Sequence, residues 1–424
     1  MLIEKQYNFL EIAKMFEELA FRSHNFERSV FRFLDTVKEF NSFAEIQNRS
    51  EIRINIESLE NKWHIESSKV HWEYYVRYRQ MIGTTRDNEL NGFEWVNPIS
   101  INYLVADDER KRYFEKESLQ NGFIIIYCML LDLIEEAQTI LAIENSFLSG
   151  KILNDELLKF FSHDIEEIVF MKGLLTSRGD KNVFENFIEQ ANQIKKYIQN
   201  MLAIGVYDVI NISPDLLEKQ FAHYKLAKRI EDFSYDCHHF ERAINRLLLI
   251  VNEFNNFLEV KSLKRYALNA SEISNWKKTY KEELNKKYYN FYSGLSTNII
   301  DTDLDDFSWH KPISIAYLSR ELDFKKEGYL NDLTLENSAI LISCLAYDLC
   351  NQATQLYEFE KDFISGQYFN MHTQGMKNFI SFIMNYDMTY AFKENDNAFL
   401  SALSILDETI LQPLGPIIEK EEIQ

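Results

Sequence analysis

The stretch FERSVFRFLDTVKEFNSFAEI, at residues 26–46, decides the fold because it returns at residues 240–260 as FERAINRLLLIVNEFNNFLEV. The two stretches align without a gap at an offset of 214 residues, and 11 of the 21 positions are identical. Apolar residues recur in the first copy at steps of three and four, which places them on one helix face. They are Phe26, Val30, Phe33, Leu34, Val37, Phe40, Phe43 and Ile46. The pattern predicts one long amphipathic helix in each half of the chain.

The repeat extends well beyond this helix. Its further matched pairs are LIEKQY at 2–7 with LLEKQF at 216–221, FEWVNPISINYL at 93–104 with FSWHKPISIAYL at 307–318, and YCMLLDL at 127–133 with SCLAYDL at 343–349. A period of about 210 residues indicates two whole domains, because solenoid repeats are far shorter. No stretch alternates with period two. We therefore predict an all-α protein of two tandemly duplicated helical domains, residues 1–210 and 214–424.

The five prolines fit this prediction, because none is expected to interrupt a helix. Ser213 and Pro214 predict the start of the second domain, with the serine as N-cap and the proline as the first helical residue. Pro98 and Pro312 are expected to begin short helices after an extended approach, and Trp95 and Trp309 to anchor that loop on the core. The motif is thus a structural joint, or alternatively a surface that each domain presents to a partner.

The composition limits the classes of partner. The 424 residues are 46% hydrophobic, enough for two cores, and carry a formal charge of −20 from 66 acidic and 46 basic side chains. This charge argues against nucleic-acid binding and against binding to an anionic membrane, and it favours encounter with a basic protein. The four cysteines form no CxxC pair, and no secretion signal or long apolar run is evident. We expect a cytoplasmic protein.

Two aspartates stand at matched places within apolar segments, Asp132 and Asp348. A carboxylate in such a helix needs a hydrogen-bonding or charged partner. The expected partners are Arg28 or Arg32 in the first domain and Arg242 or Arg246 in the second. An internal ion pair in each domain is the prediction, and a tuned general acid is the alternative.

Two acidic runs flank the tryptophan motifs. They are Asp107, Asp108 and Glu109 in the first domain, and Asp301, Asp303, Asp305 and Asp306 in the second. The second run begins like a calcium loop, but it lacks the glycine at the sixth place and the glutamate at the twelfth. Both runs are candidate docking sites for a basic partner, with a merely solvated surface as the alternative.

Catalytic patterns are sparse. His163 and Asp164 form a dipeptide found in metal-dependent phosphohydrolases, but no further ligand motif accompanies them. The run DCHH at residues 236–239 places ligand-type side chains in directions that diverge on a helix. No phosphate-binding glycine loop, nucleophile elbow or HExxH helix is present. We therefore predict no catalytic, cofactor-binding or metal-binding residue, and a protein that is not an enzyme.

The tryptophan motifs at 93–104 and 307–318, each followed by an apolar helix, resemble the all-helical immunity proteins of bacterial polymorphic toxin systems, in particular the immunity protein forty-nine family. The resemblance implies a cytosolic protein that binds and neutralises a cognate toxin, here expected to be a basic protein such as a nuclease effector. Two copies in one chain depart from the family's single units. The alternatives are a helical scaffold or adaptor, and a metal-dependent helical hydrolase built on His163 and Asp164.

Overall fold

The computed structural model describes residues 2–70, 119–149, 182–203, 214–284, 335–364 and 397–418. Of these residues, 91% are helical and none forms a strand. The predicted all-α class is therefore confirmed for the described part of the chain.

The described helices follow the same order in the two halves. The first half contains α1 (Leu2–Ile46), a 3₁₀ turn (Ser50–Ile52), α2 (Glu57–Val70), α3 (Leu119–Leu148) and α4 (Val183–Ala203). The second half contains α5 (Pro214–Val260), a 3₁₀ turn (Lys264–Tyr266), α6 (Ala270–Leu284), α7 (Leu335–Ile364), α8 (Ala398–Leu406), a π-helical turn (Asp407–Leu411) and α9 (Gln412–Ile418). α5 begins at Pro214, as the sequence predicts.

The two long helices end in the same way. Asn48 and Ser262 follow α1 and α5 with φ of 56° and 59°, the left-handed conformation. In the first half Arg49 N–H then bonds the Ala44 carbonyl at 2.8 Å, and in the second Leu263 N–H bonds the carbonyl six positions back, at 2.7 Å. These are Schellman ends, which satisfy carbonyls that the helix itself leaves open.

An asparagine on each long helix fixes the segment that follows. The Asn41 side chain donates from Nδ2 to the Ile54 carbonyl at 2.9 Å and accepts from the Ile54 N–H at 2.8 Å. The Asn255 side chain makes the same two bonds to Leu268, at 2.9 and 2.8 Å. Each amide thus satisfies both backbone groups of one extended residue, which directs the chain into the next helix.

Aromatic side chains form the centre of each core. Phe26, fully buried, makes edge contacts to Trp63, Phe184 and Phe187 at ring-centroid distances of 4.9 to 5.5 Å. Its match Phe240 makes edge contacts at 5.7 to 6.2 Å with the aromatic residues Trp276, Tyr280 and Phe399. Burial of each ring contributes about 2–3 kcal/mol, so these clusters join the helices of their half firmly.

The C-terminal helix corrects one prediction. Pro416 lies inside α9, so a proline does interrupt helical structure in this chain. The π-helical turn Asp407–Leu411 stands directly before this proline-containing segment, and Gln412 N–H bonds the Asp407 carbonyl. A proline ring collides with the carbonyl four residues earlier, which for Pro413 is Thr409, in the widened turn. The π turn thus gives the ring room where an ordinary turn would not.

Within the described ranges, every helix is too short or too polar to cross a lipid bilayer.

Candidate interaction surface

The long helices extend beyond their own cores and reach the other half. A 45-residue helix such as α1 is about 68 Å long. The first part of α5 contributes Leu217 and Tyr224 to the core of the first half, with Phe221 packed against it. In the other direction Tyr7 of α1 packs against the core of the second half. Helix α5 therefore contacts α3, and α1 contacts α7.

We call the contact of α5 with α3 the lysine interface, formed by Glu135, Phe221, Tyr224 and Lys225. Lys225 Nζ lies 2.6 Å from Glu135 Oε2 and 4.9 Å from the centre of the Phe221 ring. The Phe221 and Tyr224 rings stack at 6.3 Å with an angle of 19° between their planes. Both charged side chains are about half exposed, so the ion pair contributes little to stability and mainly fixes the alignment of the helices.

We call the contact of α1 with α7 the tyrosine interface, formed by Tyr7, Glu11, Tyr347, Asp348 and Asn351. The rings of Tyr7 and Tyr347 meet edge to face at 6.5 Å, and Asn351 Nδ2 donates to Tyr7 Oη at 2.6 Å. Tyr347 is 44% exposed although it is a large aromatic residue. Such an exposed ring beside polar groups is a typical anchor for a protein partner.

The tyrosine interface is a region of negative potential. Burial raises the pKa of Tyr7 to about 12, and the negative charges of Asp348 and Glu11 raise it further in the same direction. Glu11 is exposed. A phenol resists ionisation beside carboxylates because a second negative charge there is unfavourable. A cationic side chain brought to this surface would be attracted for the same reason.

The two interfaces differ at matched positions. At the offset of 214, Glu11 stands where Lys225 stands in α5; at the offset of 216, Asn351 in α7 matches Glu135 in α3. An ion pair in the lysine interface is thus replaced by an exposed carboxylate and an amide in the tyrosine interface. The leucine that matches Tyr347, Leu131, is half-buried. The acidic aromatic surface is therefore specific to one of the two contacts.

The predicted aspartates lie on these contact helices. Asp132 and Asp348 are both half-buried, and Asp348 Oδ2 accepts a hydrogen bond from Gln352 at 2.7 Å. The side chains of Arg28 and Arg242 fall outside what the structure describes, so an internal ion pair with either aspartate remains a prediction.

The most buried acids are residues that the sequence analysis missed. Glu144 is 1% exposed and accepts a 2.5 Å hydrogen bond from Asn182 Nδ2; Glu360 is 4% exposed and accepts the same bond, also 2.5 Å, from Asn397. Each asparagine also caps the next helix, since Asn182 Oδ1 accepts from Phe184 N–H at 2.8 Å. These pairs tie the start of α4 to α3 and of α8 to α7. Their signal was available, because both glutamates occupy matched places in the repeat.

The described thiols are unsuited to nucleophilic chemistry. Cys128 and Cys344 are fully buried, as predicted, and burial raises the pKa of both, that of Cys344 to about 12. Burial, with a smaller contribution from the charge of Asp407, raises the pKa of the half-buried Cys350 to about 11. Because the thiolate is the reactive form, all three behave as small apolar groups at neutral pH.

Many of the predicted site residues lie outside the described ranges. They are Trp95, Pro98, Trp309, Pro312, the acidic runs Asp107, Asp108, Glu109, Asp301, Asp303, Asp305 and Asp306, and the dipeptide His163 and Asp164. The predictions made for them therefore stay predictions. Among the residues that the structure does describe, no three histidine, cysteine, aspartate or glutamate side chains gather in a way that could hold a metal ion.

The sequence matches no family model, and comparisons with curated proteins and with solved structures likewise found no match.

Proposed function

We propose that this chain is a tandemly duplicated helical protein that binds and neutralises a basic protein toxin, as the immunity proteins that it resembles do. The observation that carries the proposal is the tyrosine interface, where exposed Tyr347 lies beside Glu11 and Asp348. Aromatic residues supply most of the binding energy in protein interfaces, and acidic groups steer a basic partner and select it.

The duplication is supported by features that recur between the halves. Helix α1 and α5 both end 214 residues apart, at Ile46 and Val260, and α3 and α7 have both ends 216 residues apart. The left-handed residue after the long helix recurs at the same offset. So do the asparagine clamps and the buried glutamate caps described above. Two unrelated helical domains would not be expected to repeat such local details.

The overall charge supports a basic partner. With a formal charge of −20, the chain attracts a basic protein over roughly 8 Å at physiological salt, the Debye length there. Many toxins that act on nucleic acids need basic clefts, and an acidic helical surface can occupy such a cleft. An acidic surface alone would give fast but weak association, so we assign the affinity to the aromatic residues.

The first experiment is capture and rescue. The tagged chain, expressed in cells that carry its neighbouring genes, should co-purify with a basic protein that is toxic when expressed alone, and co-expression should restore growth. Capture of a partner that is not toxic alone would favour the scaffold or adaptor. Stoichiometric zinc, manganese or iron in the purified chain would favour the hydrolase. A neighbouring gene product that is toxic but neither binds nor is relieved would refute the proposal.

The second experiment tests the surface itself. Reversal of charge in Glu11→Lys, combined with Tyr347→Ala, should weaken binding to the captured toxin by at least about 10-fold and abolish rescue. Asp35→Lys is a matched control: it makes the same charge change on the same helix, at a side chain that is 76% exposed. If both variants bind equally well, the toxin contacts another surface and the assignment to the tyrosine interface is wrong.

A further inference from the structure

We infer that each half of the chain is the binding partner of the other, through exchange of the first parts of their long helices, so that the surface each half presents fits a second unit of the same kind. The inference does not depend on the toxin. It concerns an association surface built from the starts of α1 and α5 and from the sides of α3 and α7.

The start of α5 belongs to the first core. Leu217 and Tyr224 are each 4% exposed and are part of the same cluster as the buried residues of α1, α2, α3 and α4, while Phe221 packs against it. These three residues are spaced by four and three, so they form one stripe on α5. Full burial of a leucine and a tyrosine contributes several kcal/mol to whatever contact they make. That contact is with the other half.

The start of α1 makes the reciprocal contact. Tyr7 packs against the second core and is joined to α7 through its ring contact with Tyr347 and its bond with Asn351. Tyr7 matches Phe221 at the offset of 214, so the same helix position is used in both directions. A contact in which one surface patch meets its own equivalent is the isologous arrangement of twofold dimers. The chain thus reproduces, within one molecule, the geometry of a dimer of repeat units.

The test uses the full chain with a specific protease site inserted between Ala203 and Pro214. The protein is purified intact, cut under native conditions and passed over a gel-filtration column at low micromolar concentration. We expect the two fragments to elute together and to keep the helical circular dichroism of the uncut chain. Fragments that separate while each keeps its helical signal, or that separate and unfold, would overturn the inference, because reciprocal burial predicts that they remain bound.

A charge exchange across the lysine interface makes the test specific. Lys225→Glu should raise the dissociation constant of the cut fragments roughly 2- to 20-fold, because it places two carboxylates together, and Glu135→Lys in the same chain should restore it. Lys264→Glu is the matched control, since Lys264 pairs with Glu259 within one half and should leave the constant unchanged. Equal effects of Lys225→Glu and Lys264→Glu would overturn the assigned contact.

A measurement on the uncut chain covers the case in which cleavage is disruptive. Tyr224→Ala lies in the second half of the sequence, yet it should speed amide hydrogen exchange in α3 more than in α7. Faster exchange confined to α7 would overturn the inference.

Discussion

Replacement of Asn182 by alanine should destabilise the first half of the protein far more than an ordinary asparagine substitution. Asn182 has two roles: its Oδ1 accepts from Phe184 N–H at the start of α4, and its Nδ2 donates to Glu144, which is 1% exposed. Loss of an N-cap costs about 1 kcal/mol. Loss of a hydrogen bond to a charged, buried group costs about 1.5–3 kcal/mol. We therefore expect Asn182→Ala to lower the free energy of unfolding by about 2.5–4 kcal/mol.

Asn182→Asp separates the two contributions. Aspartate is as good an N-cap as asparagine, but it places a second carboxylate against Glu144. Repulsion between the two raises the pKa of the pair in the folded state above its value in the unfolded chain, so folding favours the singly protonated pair. Stability of this variant relative to Asn182→Ala should therefore rise as the pH falls from about 7 towards 5.

The assay is urea denaturation followed by circular dichroism at 222 nm, with hydrogen exchange to localise the effect to α4. Asn252→Ala, at an exposed position of α5, is the control and should change stability by less than about 1 kcal/mol. Asn397→Ala should behave like Asn182→Ala, but in α8. A loss below about 1 kcal/mol in both cap variants, or an Asn182→Asp variant without pH dependence, would refute the role assigned to these buried pairs.

Three further predictions concern other parts of the structure. Ser262→Gly should raise stability by about 1 kcal/mol in a thermal or urea melt, because glycine adopts the left-handed conformation without strain; a loss of stability would contradict this. Asn255→Ala should cost about 1–3 kcal/mol, because it removes both side-chain bonds to Leu268; a neutral effect would show that the clamp is dispensable. In native alkylation at pH 8, measured by mass spectrometry, Cys350 should react before Cys128, because it is the less buried thiol; the reverse order would contradict the assigned burial.

Much of the helical architecture could be predicted from the sequence, because apolar periodicity depends only on which side chains a helix buries. The stripe from Phe26 to Phe40 is buried as predicted, and α5 starts at Pro214. Pro416 was misjudged, because a π turn that accommodates a proline depends on local backbone geometry. Both Asn48 and Ser262 also escaped notice, since neither residue is the glycine that usually marks a Schellman end.

The candidate site was less predictable. The tyrosine interface joins Tyr7 to Asn351, which are 344 positions apart in the sequence, and no local pattern indicates such a pairing. Glu144 and Glu360 carry a matched signal in the repeat, but a glutamate in a helix normally indicates solvent, so their burial follows from packing alone. The acidic runs chosen from the sequence remain candidates beside the tyrosine interface.

The reach of α1 across the molecule has a consequence for biosynthesis. Tyr7 leaves the ribosome 344 residues ahead of Asn351, with which it finally bonds. At translation speeds of about 5–20 residues per second, the start of α1 waits about 17–70 s before its docking helix is made. Its apolar face is uncovered during that interval, which makes the nascent chain, more than the finished protein, the form that depends on chaperones.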